Sequence, residues 1–418
     1  MKRALICLEQ LGIGGVETFA LTQIDEFNRR GIKCYVLCRD GILRKHIDNK
    51  KNIEWVEFDF KLEQTINYEK VKELEKFITK KKIDFIYIHQ FSCVEYLLPI
   101  ILKKEIKYVA YLHNIVPKTL EWFMEHYELY KTLFPIYFQY ASKIIAITDR
   151  VKEEHINLFK LPEEKYITIN NSLDFSKFPD VPVPEINMNF DNLLLFGRIA
   201  EQKRKSIYTA VKFYKYIKEK YNKNAKLTVV GDGELFQEIT EMYKNEDIYF
   251  KGAVSDMAPE IAKADILLGV DRCMLEAVAS KKISVICGYK ENTVFVTPDK
   301  LPDAIVENFT GINLKDDVDE LFKYSKEDLE KILEENYQYV KKELAITDSV
   351  FLDIEDFVGP SESLLDMITN TSDYLKRIYD LEQEKEKLIR DINDIKFLVK
   401  KIFSKIKYRI KKIFSGGN

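Results

Sequence analysis

Long apolar runs, paired cysteines and an excess of charge of either sign are all missing from this chain of 418 residues. No segment approaches the roughly twenty uninterrupted apolar residues of a membrane-spanning helix, so we expect a soluble or peripheral protein. The six cysteines are scattered without a CxxC pair, which favours reduced thiols in a cytosol over a disulfide framework. The formal net charge is only -3, so the molecule as a whole has no field that would attract nucleic acid.

Two kinds of ligand motif are missing as well. The sequence has no HxxxH pair and no carboxylate cluster suited to a metal, and the acidic residues 316–320 are better explained as a solvated helix start. The glycine-rich residues 11–17 follow the first apolar run, where glycines let the backbone approach a ligand closely. A dinucleotide fingerprint would need a glycine three residues after Gly14, but the chain has Glu17 there. We therefore expect neither a metal nor another cofactor.

Apolar residues in the N-terminal half form short runs separated by stretches of helical periodicity. Runs of strand length that alternate with helices indicate a parallel sheet covered on both faces. The runs are residues 4–8, 35–38, 53–58, 83–89, 108–112 and 144–148.

The same pattern starts again after a break at Pro182 and Pro184, which favour an extended linker. The apolar runs of this second half are residues 193–196, 227–230, 248–250, 266–268 and 283–286, with helices predicted over 206–220 and 235–244. We therefore predict an α/β protein with two doubly wound, Rossmann-like domains, residues 1–180 and 186–345, that face each other across a cleft.

The C-terminal end has a different character. After a connecting segment, 346–372, apolar residues recur every seven positions through 373–414, with Lys385 in the seam, which predicts a coiled coil and association with a second copy or with a partner chain. Residues 396–412 carry eight basic side chains and no acid, interleaved with apolar ones. Such an amphipathic end favours docking of residues 396–414 on an anionic membrane surface, although a nucleic-acid tail or a solvated helix remains an alternative.

Two cations follow the first apolar run of the second half. Arg198 and Lys203 come just after residues 193–196, and the carboxyl ends of strands in such sheets commonly bind anions. Glu276 is expected near the start of another helix of the same domain. Cations for a diphosphate and a carboxylate for ribose hydroxyls are what a nucleotide-sugar site needs, although the two cations could instead pair with Glu201 on the surface.

Six segments in series then resemble the retaining GT-B glycosyltransferases of the large group 1 family. They are residues 171–178, 197–203, 230–235, 249–254, 264–266 and 275–279. The resemblance implies a GT-B fold and transfer of a hexose or N-acetylhexosamine from a nucleotide-sugar donor, with UDP favoured by family frequency. It also implies a cell-surface polysaccharide or lipid-linked glycan as acceptor, no essential metal and no nucleic-acid partner. With the basic tail, we expect a cytoplasmic protein that is peripheral at the inner face of the cell membrane.

The resemblance also assigns roles to individual residues. Arg198 and Lys203 would stabilise the charge that develops on the leaving diphosphate, and His113 would contact a sugar hydroxyl or the reacting centre. Glu276 would accept hydrogen bonds from ribose hydroxyls. The other expected donor-binding residues are Gly14, Gly15, Gly197, Asp271, Met274 and Leu275, with backbone donors at a helix start near Met274.

Two positions depart from the family pattern. Leu268 stands where the first glutamate of the family's pair is usual, which leaves Asp271 as a candidate substitute. Arg204 replaces the glycine that commonly follows the lysine, so it either adds a phosphate cation or points to solvent. The missing glutamate supports one alternative, a non-catalytic GT-B subunit that scaffolds a partner glycosyltransferase. A sugar-nucleotide epimerase of the same fold is a second alternative.

Overall fold

A computed structural model of the chain describes residues 2–12, 14–62, 66–113, 116–345 and 387. Apart from residue 387, the predicted connecting segment 346–372 and the predicted coiled coil with its basic end, 373–414, lie outside the described residues. Within the described ranges, no helix has the length and apolar character needed to cross a membrane.

The N-terminal domain is built on a seven-stranded sheet with the order β3-β2-β1-β4-β5-β6-β7, and every pairing is parallel. Alternate residues of β1 enter cores on opposite faces, Leu5 on one and Ile6 on the other, as the short apolar runs predict. The strands are β1 Arg3–Gln10, β2 Lys33–Arg39, β3 Ile53–Glu57, β4 Phe85–Ile88, β5 Lys107–Leu112, β6 Lys143–Ala146 and β7 Tyr166–Thr168. The helices are α1 Gly15–Arg29, α2 Tyr68–Lys81, α3 Val94–Lys104, α4 Val116–His126, α5 Glu128–Tyr140 and α6 Asp149–Phe159.

The C-terminal domain has a six-stranded sheet with the order β10-β9-β8-β11-β12-β13. Its pairings are parallel except that of the last strand, which runs antiparallel to its neighbour. The strands are β8 Asn192–Phe196, β9 Lys226–Val230, β10 Ile248–Gly252, β11 Ile266–Gly269, β12 Ile283–Cys287 and β13 Thr293–Phe295. The helices are α7 Arg204–Lys220, α8 Phe236–Met242, α9 Ala258–Lys263, α10 Arg272–Ala279, α11 Leu301–Val306 and α12 Lys326–Leu344.

The last residues of the predicted N-terminal domain, 171–180, contact α12 of the C-terminal domain. The Leu173 backbone N–H donates to the carbonyl of Leu344 at 2.9 Å, and the Tyr337 hydroxyl donates to the carbonyl of Phe178 at 2.9 Å. By contrast, the Ile169 backbone N–H still bonds to the N-terminal sheet. Residues 171–180 therefore pack on the C-terminal domain, because α12 supplies the apolar surface that covers them.

Candidate active site

A cleft of about 1520 Å³ separates the two domains, and residues from both line it. The loops that follow β1, β4 and β5 form one wall, and those that follow β8 and β11 form the other. Since the carboxyl ends of both parallel sheets face this space, it is where an open α/β sheet binds its ligands. The predicted arrangement of two domains across a cleft is thus confirmed.

The loop that carries Arg198 is braced by the neighbouring loop after β9. The Gly197 backbone N–H donates to the Val230 carbonyl at 3.0 Å, and the Ile199 N–H donates to the Asp232 carbonyl at 2.9 Å. Gly231 lies between these contacts with φ +148°, and a Cβ there would sit 1.8 Å from the Gly197 carbonyl oxygen. Only glycine fits at this position, so the two loops hold Arg198 at the cleft as one unit.

Arg198 and Lys203 both line the cleft but have different surroundings. Arg198 is exposed and forms no ion pair with any residue in the described part of the chain. Lys203 is mostly buried, and its Nζ lies 2.9 Å from Oδ2 of Asp271. Burial disfavours the charged form of Lys203, but the Asp271 carboxylate more than compensates, so the pKa of the lysine is raised.

Glu201 does not pair with these two cations, as the surface alternative would require. Its carboxylate pairs with Arg204 at 2.7 Å, and Arg204 also bonds Glu238. The extra cation that replaces the family's glycine is therefore held in a surface network of ion pairs.

Asp271 has a backbone conformation that is typical of glycine. Its φ is 59° and its ψ is -144°, a region that non-glycine residues adopt at a cost of about 1–3 kcal/mol. The Tyr289 hydroxyl donates to Oδ2 of Asp271 at 2.8 Å, alongside the ion pair from Lys203. Such strain concentrates at functional sites, where the surrounding contacts maintain it.

Helix α10 begins at Arg272, earlier than the predicted start near Met274, so Glu276 lies in its second turn. Oε1 of Glu276 accepts from Nε of the buried Arg272 at 3.2 Å, and burial raises the pKa of Glu276 although Arg272 opposes that rise. Nη1 of Arg272 donates to the Ser172 carbonyl at 3.2 Å. The ion pair with Arg272 thus holds the carboxylate of Glu276, the predicted ribose ligand, at the cleft wall.

Met274 and Leu275 are placed differently from the other predicted donor-binding residues. Both side chains are fully buried in the C-terminal core, and the Met274 backbone N–H donates to the Asp271 carbonyl at 3.0 Å. They support the cleft from beneath rather than line it. Gly14, Gly15 and Gly197 do line it.

The opposite wall of the cleft contains the carboxylate of Glu17. In the sequence we considered this position only because a dinucleotide fingerprint would need a glycine there. Glu17 lies in the first turn of α1 and is buried against Gly14, where a Cβ would come within 2.3 Å of its Oε2. Burial raises the pKa of Glu17, while its own backbone N–H and Arg198 across the cleft lower it. An acid in the first turn of a helix was the signal that could have drawn attention to it.

His113, which we predicted to contact the sugar, follows β5 and lines the cleft. Its Nε2 lies 3.0 Å from Nδ1 of His89, which follows β4. Burial, reinforced by the nearby Arg272 cation, lowers the pKa of His113 to about 3, so the imidazole is neutral at pH 7. A neutral imidazole suits hydrogen bonding to a sugar. His89 lines the cleft too, and its link to His113 could not be foreseen from the sequence.

Among the described residues, no three histidine, cysteine, aspartate or glutamate side chains come together in an arrangement that could hold a metal ion. That the chain needs no metal remains a prediction.

Two family models match the chain, one to each domain. The model of Glycosyltransferase Family 4 matches residues 13–177, and that of Glycosyl transferases group 1 matches residues 191–313. The chain is a glycosyltransferase with one domain of each family. The resemblance seen in the sequence is thereby confirmed, and the second match covers the loops with Arg198, Lys203 and Asp271. A search of the curated proteins found no match.

Solved structures of other glycosyltransferases share the fold of this glycosyltransferase. HepE of Anabaena has 15% identity and a TM-score of 0.58, over 89% of this chain and 99% of its own. TarM of S. aureus has 12% identity and a TM-score of 0.58, over 84% and 98%. The pneumococcal O-GlcNAc transferase GtfA has 10% identity and a TM-score of 0.56, over 90% and 99%. These similarities establish the GT-B architecture.

Proposed function

We propose that this glycosyltransferase transfers a sugar, with retention of anomeric configuration, from a UDP-sugar to a surface polysaccharide or lipid-linked glycan. The observation that carries the proposal is the unpaired Arg198 beside Lys203, on the same cleft wall as Glu276 and across the cleft from His113. UDP as the nucleotide is supported by structures of the same fold: HepE was solved with UDP and glucose, and GtfA with UDP and GlcNAc.

Negative charge grows on the diphosphate as the bond to the sugar breaks. Fixed cations accelerate this step because they stabilise the departing charge more than the intact donor. Arg198 can fork onto two phosphate oxygens, whereas Lys203 acts as a point charge that Asp271 already partly neutralises. Closure of the two domains would exclude water and limit hydrolysis of the donor.

A thermal-shift screen with UDP, GDP, ADP, CMP and NAD, without added metal, tests the donor class. At one hundred times its dissociation constant a ligand raises the free energy of unfolding by about 2.7 kcal/mol, so we expect UDP alone to raise the melting temperature clearly. Product NMR with the matching UDP-sugars would then show whether the anomeric configuration is retained. No shift with any nucleotide would contradict the proposal and favour the scaffold alternative.

We also propose, from the sequence alone, that the basic end delivers the enzyme to a membrane where lipid-linked acceptors reside. Each basic residue near an anionic surface contributes up to about 1 kcal/mol. The full chain should bind vesicles that contain phosphatidylserine, and a chain truncated after Asp394 should not. Binding that survives the truncation, or that does not weaken with salt, would contradict this assignment.

A further inference from the structure

A line of hydrogen bonds runs from the cleft into the N-terminal domain behind His113. Nε2 of His113 lies 3.0 Å from Nδ1 of His89, and Nε2 of His89 lies 2.9 Å from Oε1 of Gln23. The Gln23 amide donates from its Nε2 to the hydroxyl of Tyr111 at 2.9 Å. His89, Gln23 and Tyr111 are each at most 3% exposed, so His113 is the end of this line that faces solvent.

Aromatic packing fixes the orientation of these rings. His89 stacks on Tyr111 with ring centroids 4.2 Å apart, and Tyr111 is nearly parallel to His113 at 5.6 Å. Phe19 of α1 contacts His113 edge-on at 5.3 Å. Because the rings are held on several sides, neither imidazole can turn over without repacking this part of the core.

The order of donors and acceptors along the line follows from the glutamine. Burial lowers the pKa of His89 well below its ordinary value, and His113 is neutral too, so each ring carries a single N–H. With the Gln23 amide oriented so that Oε1 faces His89, Gln23 can only accept there, so Nε2 of His89 carries its hydrogen and Nδ1 of His89 accepts. Nε2 of His113 must then be the protonated nitrogen. This leaves Nδ1 of His113 as a lone pair, and it has no partner in the described part of the chain.

We propose that Gln23 and His89 are positioning residues that hold His113 in the tautomer with an unprotonated Nδ1, which accepts a hydrogen bond from a hydroxyl of the donor sugar. The inference rests on the proposed function, since it assumes that the sugar lies beside His113. A sugar hydroxyl can donate its hydrogen only to a lone pair. In the other tautomer Nδ1 of His113 carries a hydrogen and cannot accept. Residues that orient a functional imidazole in this way typically affect activity about 10–100-fold in metal sites, and we expect a similar scale here.

NMR of the unliganded, full-length protein with nitrogen-15-labelled histidine tests the tautomer without any reaction. We expect Nε2 of His113 to be protonated in the wild type, and a mixture of tautomers in His89→Leu. In kinetics, His89→Leu should lower kcat about 10–100-fold with the dissociation constant for UDP unchanged. His89→Asn should recover most of the rate, because its amide oxygen can accept from Nε2 of His113. If His89 acted through packing alone, His89→Leu should instead retain a higher kcat than His89→Asn, because leucine fills the space of the ring better.

His155→Leu is the matched control. His155 is a fully buried histidine of the same domain, and its Nδ1 lies 2.6 Å from the Tyr166 hydroxyl, away from the cleft. Its replacement should lower stability but leave kcat unchanged. Protonated Nδ1 of His113 in the wild type, or equal kcat values for the two His89 variants, would overturn the inference. If the wild type transfers no sugar from any UDP donor, the proposed function fails, while the NMR result still decides the tautomer.

Discussion

Lys203→Ala should lower kcat for sugar transfer about 10²–10³-fold, the loss found when one preorganised group that stabilises transition-state charge is removed. Lys203 lies at the carboxyl end of the strand that also presents Arg198, so both would contact the departing diphosphate. Since Lys203 stabilises the diphosphate most strongly once negative charge has developed on it, KM for the donor should rise less than kcat falls. Steady-state kinetics with the UDP-sugar identified by the nucleotide screen measure this split.

Lys212→Ala is the control for this change. Lys212 belongs to the same domain but is 71% exposed, and its nearest acid, Glu291, is 3.3 Å away on the surface. Surface pairs of this kind contribute about 0–1 kcal/mol, so both stability and rate should stay close to wild type. Lys203→Met, which keeps most of the apolar stem, separates loss of charge from loss of packing. Transfer at the wild-type rate in both Lys203 variants would rule out the diphosphate assignment.

The architecture could be predicted because each central strand is a compact apolar run that is buried on both faces. Residues 193–196 show this, since their run could only be accommodated between two helical layers. β7 and β13 escaped prediction because strands of three residues carry almost no periodic signal. The contacts of residues 171–180 with the C-terminal core were not predicted, because the prolines mark where the chain is extended and not where its packing changes.

The partners of the site residues were harder to predict than the residues themselves. Arg198 and Lys203 follow a strand directly, so their place at the cleft can be read from the sequence. The contact between Lys203 and Asp271 arises only because β8 and β11 are neighbours in the sheet, and strand order is a long-range property. Gln23 left a weak local signal, since it is a polar residue on the buried face of α1.

Removing the carboxylate of Asp271 should strengthen binding of UDP and weaken transfer of the sugar. In the donor-free enzyme the carboxylate competes with the diphosphate for Lys203, because Nζ is only 2.9 Å from Oδ2. Asp271→Asn keeps the size of the side chain and an acceptor for the Tyr289 hydroxyl, but not the charge. We expect UDP to bind this variant about tenfold more tightly, which corresponds to about 1.4 kcal/mol. We expect kcat to fall, because a carboxylate here would replace the family's missing glutamate at the transferred sugar.

The backbone at Asp271 supplies an independent check, because Asp271→Ala and Asp271→Gly both remove the carboxylate but differ in strain. At φ 59° alanine remains strained, whereas glycine adopts this conformation freely. Asp271→Gly should therefore be more stable than Asp271→Ala by about 1–2 kcal/mol in urea unfolding, while the two bind UDP equally well. Equal stabilities would mean that the backbone relaxes without the side chain. Weaker binding of UDP by Asp271→Asn would show instead that the aspartate holds Lys203 in place for the diphosphate.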